Sequence, residues 1–133
     1  MHKLLAALIL ASLAGAACGA ELLVIVNPKN PLARLSNEEA SAYFLGRALE
    51  LHPIDQSDGA PIRDAFYRKV VGKEPARVKA IWSKLVFTGK GVPPLQVGSS
   101  AEVKRAVAAD PLAIGYIERG ALDASVKMVL SVD

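Results

Sequence analysis

The chain has 133 residues, 52% of them hydrophobic and 22% charged, with a formal net charge of +3. That length suits one domain with a single core, and so slight a basic excess does not imply a nucleic-acid partner. One cysteine and two histidines leave neither a disulfide framework nor a cluster of His and Cys metal ligands.

His2 and Lys3 lead into an apolar run over residues 4–13, which is followed by Ala14, Gly15, Ala16 and Ala17. This is the three-part layout of a secretory signal peptide, and its apolar run is too short to span a bilayer. Residues 1–20 are expected to be removed after Ala20, with Ala17 as the other candidate, leaving 21–133 as one periplasmic domain. Cys18 could instead carry a lipid anchor, but Gly15 stands where the bacterial lipoprotein motif has leucine. No later apolar run approaches the ~20 residues of a membrane helix.

In the remaining chain, Leu22 to Val26 is a continuous apolar run with three β-branched members, which reads as a buried, central and parallel strand. The loop Asn27-Pro28-Lys29-Asn30-Pro31 is rigid, because each proline fixes φ and biases the residue before it away from helix. Ser36 and Glu39 form a capping box that starts a helix with Ala40, Tyr43 and Phe44 on its apolar stripe, and Gly46 ends it. His52, beside Pro53 and without a second ligand at metal spacing, reads as an exposed loop residue.

A short strand ending near Ile54 then runs into the polar turn Gln56-Ser57-Asp58-Gly59, and Pro61 opens a helix carrying Ile62, Ala65, Phe66 and Val70, closed by Gly72. A strand that delivers a polar loop to a helix N-terminus can hold an anion, although the same geometry also serves as a plain connection. Pro75 starts the most regular helix, with Val78, Ile81, Trp82 and Leu85 on one face and Trp82 as a core anchor. Arg68, Lys69, Lys73, Arg77, Lys79, Lys84 and Lys90 share their stretch with one acid, Glu74. They form either a solvated face or a surface that draws acidic partners or anionic lipid.

Residues 88–91 lack the flanking residues of a phosphate-cradling P-loop. Residues 94–97 suit a short edge strand, and Ser99 with Glu102 forms a second capping box ahead of Val103, Ala106 and Val107. Ser99 and Ser100 thus read as caps first, yet a hydroxyl-rich helix N-terminus is also a candidate anion site. Residues 113–117 form a strand in which Gly115 permits close backbone approach, and residues 126–132 form a last strand.

Several of these segments resemble the phosphate-binding protein of bacterial phosphate ABC transporters. That family carries Arg-Ser-Asp-Gly-Ser-Gly-Thr-Thr, two further residues and Phe. Here Gln56 falls at the Arg, Ser57, Asp58 and Gly59 are identical, and Phe66 falls at the Phe. Tyr43-Phe44-Leu45-Gly46-Arg47 is similar to the family's Ile-Phe-Leu-Gly-Lys, and residues 113–117 are similar to its Gly-Ala-Ile-Gly-Tyr-Val, with Leu112 at the first Gly. Residues 82–91 and the Asn-Pro-x-Asn-Pro loop resemble small periplasmic-binding-like relatives of that transporter.

The resemblance implies an α/β fold, a single lobe of a type 2 periplasmic binding protein with a mixed or parallel sheet flanked by helices, which the alternation of strands and helices also supports. It further implies an exported substrate-binding-like protein for phosphate or another oxyanion, with Gln56, Ser57, Asp58, Gly59, Arg63, Ser99 and Ser100 lining the site. Ala60, Pro61 and Ile62, however, replace the Ser-Gly-Thr that holds phosphate in the family, so binding is expected to be weak. The alternative is an accessory module that docks a protein partner, or a homodimer that completes the cleft. No nucleophile and base stand at catalytic spacing, so neither an enzyme nor a cofactor is implied.

Overall fold

The computed structural model describes residues 21–133. The signal-peptide and Cys18 readings lie outside the described residues. Five strands and four helices alternate: β1 (Leu22–Val26), α1 (Asn37–Phe44), β2 (His52–Gln56), α2 (Pro61–Phe66), α3 (Pro75–Phe87), β3 (Leu95–Val97), α4 (Ser100–Ala109), β4 (Ala113–Glu118) and β5 (Lys127–Val132). A π-helical turn, Tyr67–Val71, extends α2 and ends at Gly72, whose φ of 76° is the left-handed cap conformation that glycine adopts without strain.

The sheet order is β3-β2-β4-β1-β5. Strand β2 runs parallel to both β3 and β4, whereas β1 is antiparallel to both its neighbours, β4 and β5. The sheet is therefore mixed, as expected, and β1 is interior but not parallel. Its unbroken apolar run has a different cause: both faces of the sheet are covered. Leu22, Val24 and Val26 pack with Phe44, Phe66, Tyr67, Val70 and Val78 from α1, α2 with its π turn, and α3. Leu23 and Ile25 pack with Val103 and Val107 of α4 on the other face. Burial on two faces demands apolar residues at every position whichever way the neighbours run.

Local signals decide where these elements begin and end. Ser36 Oγ accepts from the Glu39 N–H at 3.1 Å while the Glu39 carboxylate accepts from the Ser36 N–H at 2.8 Å, the full capping box. At α4 only half of the box forms: Ser99 Oγ accepts from the Glu102 N–H, and the Glu102 carboxylate meets the Ser99 hydroxyl instead of its backbone. Asn27 clamps the far end of α4, donating from Nδ2 to the carbonyls of Val107 and Ala108. Trp82 sits half-buried at the margin of the core, where Nε1 donates to the Phe44 carbonyl at 2.9 Å.

Gly115 sets the spacing between sheet and α4. A Cβ there would stand 2.5 Å from Val103 Cγ1 and 3.4 Å from Val107 Cγ2, so the helix rests on bare backbone. Gly115→Ala is expected to lower stability by about 1–3 kcal/mol through overpacking, measured by urea unfolding. An unchanged midpoint would show that α4 does not rest on this residue.

Candidate functional site

In α/β sheets, ligands gather beyond the carboxyl ends of the parallel strands. Here those ends are Gln56 of β2, Val97 of β3 and Glu118 of β4, and the candidate anion-site residues lie on the segments that follow β2 and β3. They form two groups, one on each side of the sheet.

On the α4 side, buried Gln56 donates from Nε2 to the Tyr116 carbonyl and to Ser100 Oγ, both at 3.1 Å. Ser100 Oγ in turn donates to the Glu118 carboxylate at 2.6 Å. Ser57 Oγ reaches the Val97 carbonyl at 3.4 Å, and Ser99 is spent on its own helix. The hydroxyls at this helix N-terminus therefore face the carboxylates Glu102 and Glu118.

On the other side stands a residue the sequence reading passed over, Asp55, whose carboxylate is 2% exposed. It accepts from the Tyr67 hydroxyl at 2.5 Å, from the Tyr116 hydroxyl, and from the Gln56 N–H at 2.9 Å. Burial, and then the Asp55 charge, push both phenols well above the ordinary tyrosine range, so they stay protonated and donate. The rings that carry these hydroxyls are fixed by packing: Phe66 stacks on Tyr116 at 4.1 Å and meets Phe44 and Tyr67 edge-on. An aspartate directly after the buried Ile54 was the available signal, but its partners come from residues 12 and 61 positions away.

Arg63, one turn into α2, points back at this carboxylate. Its Nε lies 3.5 Å from Asp55 and its Nη1 donates to Asp58 at 2.6 Å, with the guanidinium over the Tyr67 ring. Burial opposes its charge most strongly of any single cause, but Asp55, Tyr67, Tyr116 and Asp58 together outweigh it and raise its pKa. Lys79 of α3 reaches the same Asp58 at 3.2 Å. Gly59, at φ 85°, turns the loop that carries Asp58. Two cations and two carboxylates thus close on one another in a cleft of about 470 Å³, also lined by Trp82, Ser83, Val86, Phe87, Pro93, Pro94 and Gln96. His52 is the first residue of β2, not a loop residue, and pairs with Asp110 at 2.8 Å. Among the described residues no group of three or more His, Cys, Asp or Glu could hold a metal.

The carboxyl ends of parallel strands in a three-layer lobe are where both the binding and the catalytic sites of α/β proteins form. Comparison with solved structures agrees on the fold. A protein assigned as a phosphate ABC transporter substrate-binding protein from Clostridium perfringens, solved with bound phosphate, matches 81% of this chain with a TM-score of 0.67 and 22% identity. PstS from Borrelia burgdorferi matches 81% with a TM-score of 0.64 and 14% identity, and an ABC-type phosphate transport receptor from Vibrio cholerae matches 81% with 0.57 and 20%. The chain spans less than half the length of each, between 43% and 46%. It therefore has the periplasmic-binding-protein-like fold of these proteins, over one lobe. No protein-family model and no curated protein matches it.

The ion pairs at the cleft have a pH signature. Hydrogen bonding from Lys79, and then the Arg63 charge, hold Asp58 below the ordinary aspartate value of 3.8. His52 does the same for Asp110. A carboxyl depressed in the folded state contributes stability that is complete above its unfolded pKa and is lost as pH falls through the folded one. The thermal midpoint is expected to fall as pH drops below 3.8, and Asp58→Asn to make that fall shallower. Melting curves between neutral and acid pH check this; an unchanged acid slope in Asp58→Asn would contradict it.

Proposed function

We propose that residues 21–133 form an exported periplasmic substrate-binding-like domain, preceded by a signal peptide, that keeps the phosphate-binding lobe but has lost most of the groups that hold free phosphate. The shared fold supports the binding class. The carrying observation is the pairing at the cleft: both nearby cations, Arg63 and Lys79, are engaged by Asp58, and Arg63 by Asp55 as well. A free oxyanion must compete with these carboxylates and with Glu118 and Glu102 across the sheet. The loop gives it little to compete with. Ala60, Pro61 and Ile62 carry no hydroxyl, Pro61 has no N–H, and the Ala60 N–H is taken by the Ser57 carbonyl at 3.0 Å. The chain acts as a binding protein, without a catalytic step or cofactor.

A second reading, docking of a protein partner or a second copy that completes the cleft, draws on one observation. Phe87 and Val92, which flank residues 88–91, and Leu49 across from them are 91%, 85% and 80% exposed, with Lys84 and Lys90 in the same stretch as the first two.

Calorimetric titration with phosphate at low salt, with sulfate as control, tests the first reading. Phosphate is expected to bind no tighter than about 1 mM. A micromolar constant abolished by Ser57→Ala or Ser99→Ala would overturn the claim that the phosphate ligands are lost.

A further inference from the structure

The cleft at Asp58 has two unlike ends. Trp82, Val86, Phe87, Pro93 and Pro94 give it an apolar wall, and at about 470 Å³ it falls within the size range of small-molecule sites. At its polar end the Arg63 side chain is only 9% exposed, and its Nε is buried without a hydrogen-bond partner among the described residues. That nitrogen faces Asp55 at 3.5 Å, and the guanidinium is engaged at Nη1 by Asp58. Asp58 has a side chain 60% exposed, sits on a glycine turn and takes both Arg63 and Lys79, so it is the one carboxylate of the group that can turn out to solvent.

We propose that this cleft binds a small monocarboxylate with an apolar body, whose carboxylate takes the place between Arg63 and Lys79 that Asp58 fills in the free protein. This rests on the reading of the chain as a binding lobe and names the class of ligand for it. Charge decides the class. Asp55, Asp58, Arg63 and Lys79 sum to zero, and with Asp58 turned out to solvent the other three carry a single positive charge, which one carboxylate neutralises. Phosphate, which carries between one and two negative charges at neutral pH, would overshoot, and beyond the two cations only Ser83, Gln96 and Trp82 could donate to its remaining oxygens among Val86, Phe87, Pro93 and Pro94. An ammonium ligand would find Asp55 already capped by two tyrosine hydroxyls and Asp58 held by two cations. The apolar wall supplies the remaining affinity by taking the ligand's body out of water.

Trp82 is the chain's one tryptophan and lines the cleft, so its fluorescence follows occupancy. The protein is titrated with phenylacetate, with the isosteric phenylacetamide and with phosphate. Phenylacetate is expected to give a saturable change, and phenylacetamide to bind about tenfold more weakly for lack of the charge-assisted bonds. Asp58→Asn, which removes the internal competitor, is expected to bind phenylacetate about two- to fivefold more tightly, and the exposed change Lys79→Met to bind it more weakly by a similar factor. Equal responses to acid and amide, or an Asp58→Asn protein with unaltered affinity, would overturn the proposal. Silence toward both phenylacetate and phosphate would overturn the ligand class and leave the binding-lobe reading standing. Tight phosphate binding alone would overturn the ligand class and the claim that the phosphate ligands are lost, and leave the binding-lobe reading standing.

Discussion

A carboxylate sealed inside the lobe sets the terms for everything around it. Asp55 is removed from water on a strand whose neighbours are apolar, and an ionised group there persists only if its oxygens are fully engaged. Two tyrosine hydroxyls and a backbone N–H do that, and a guanidinium stands beside them. Each donor is positioned by something else: Tyr116 by its place in β4, Tyr67 by the start of the π turn, and both rings by Phe66. Removing one partner of such a buried ionic group typically costs about 3–5 kcal/mol, so the network constrains β2, β4 and α2 to one another.

The same constraint shapes what the cleft can bind. Arg63 is held inward by Asp55, so its charge does not stand free at the mouth of the site as a solvated cation would. Asp58 then takes a second face of the guanidinium and Lys79 with it. Evenly paired charges next to an apolar wall favour a ligand with one charge and a hydrophobic body over a small, strongly hydrated, multiply charged ion. A fold shared with phosphate-binding proteins does not by itself set the ligand, because the fold fixes where a site lies and the side chains fix what it takes.

Much of the architecture was legible in the sequence because it rests on local signals. The Ser36–Glu39 box, Pro61 and Pro75 at helix starts, Gly72 as a cap and Gly115 beneath α4 all stand where neighbouring residues demand them. The direction of β1 was not legible, since two-faced burial produces the same apolar run in either orientation. His52 was placed in a loop because its partner, Asp110, is distant in sequence and close only once β2 and β4 pair. Of the candidate site, the turn 56–59 and Arg63 were named from the loop, whereas Asp55, Tyr67 and Tyr116 were not named and Lys79 was named only as part of a basic stretch. Their significance lies in side-chain contacts across the sheet and between helices, which no local pattern encodes.

The measurement that bears most directly on this account is nitrogen-15 NMR of the Arg63 guanidinium at neutral pH, assigned by comparison with Arg63→Lys. The account predicts hindered rotation, with a distinct, exchange-protected Nη1 signal that loses its protection in Asp58→Asn. A single averaged, rapidly exchanging Nη signal in the unmodified protein would contradict it, since the guanidinium would then be free rather than held between Asp55 and Asp58.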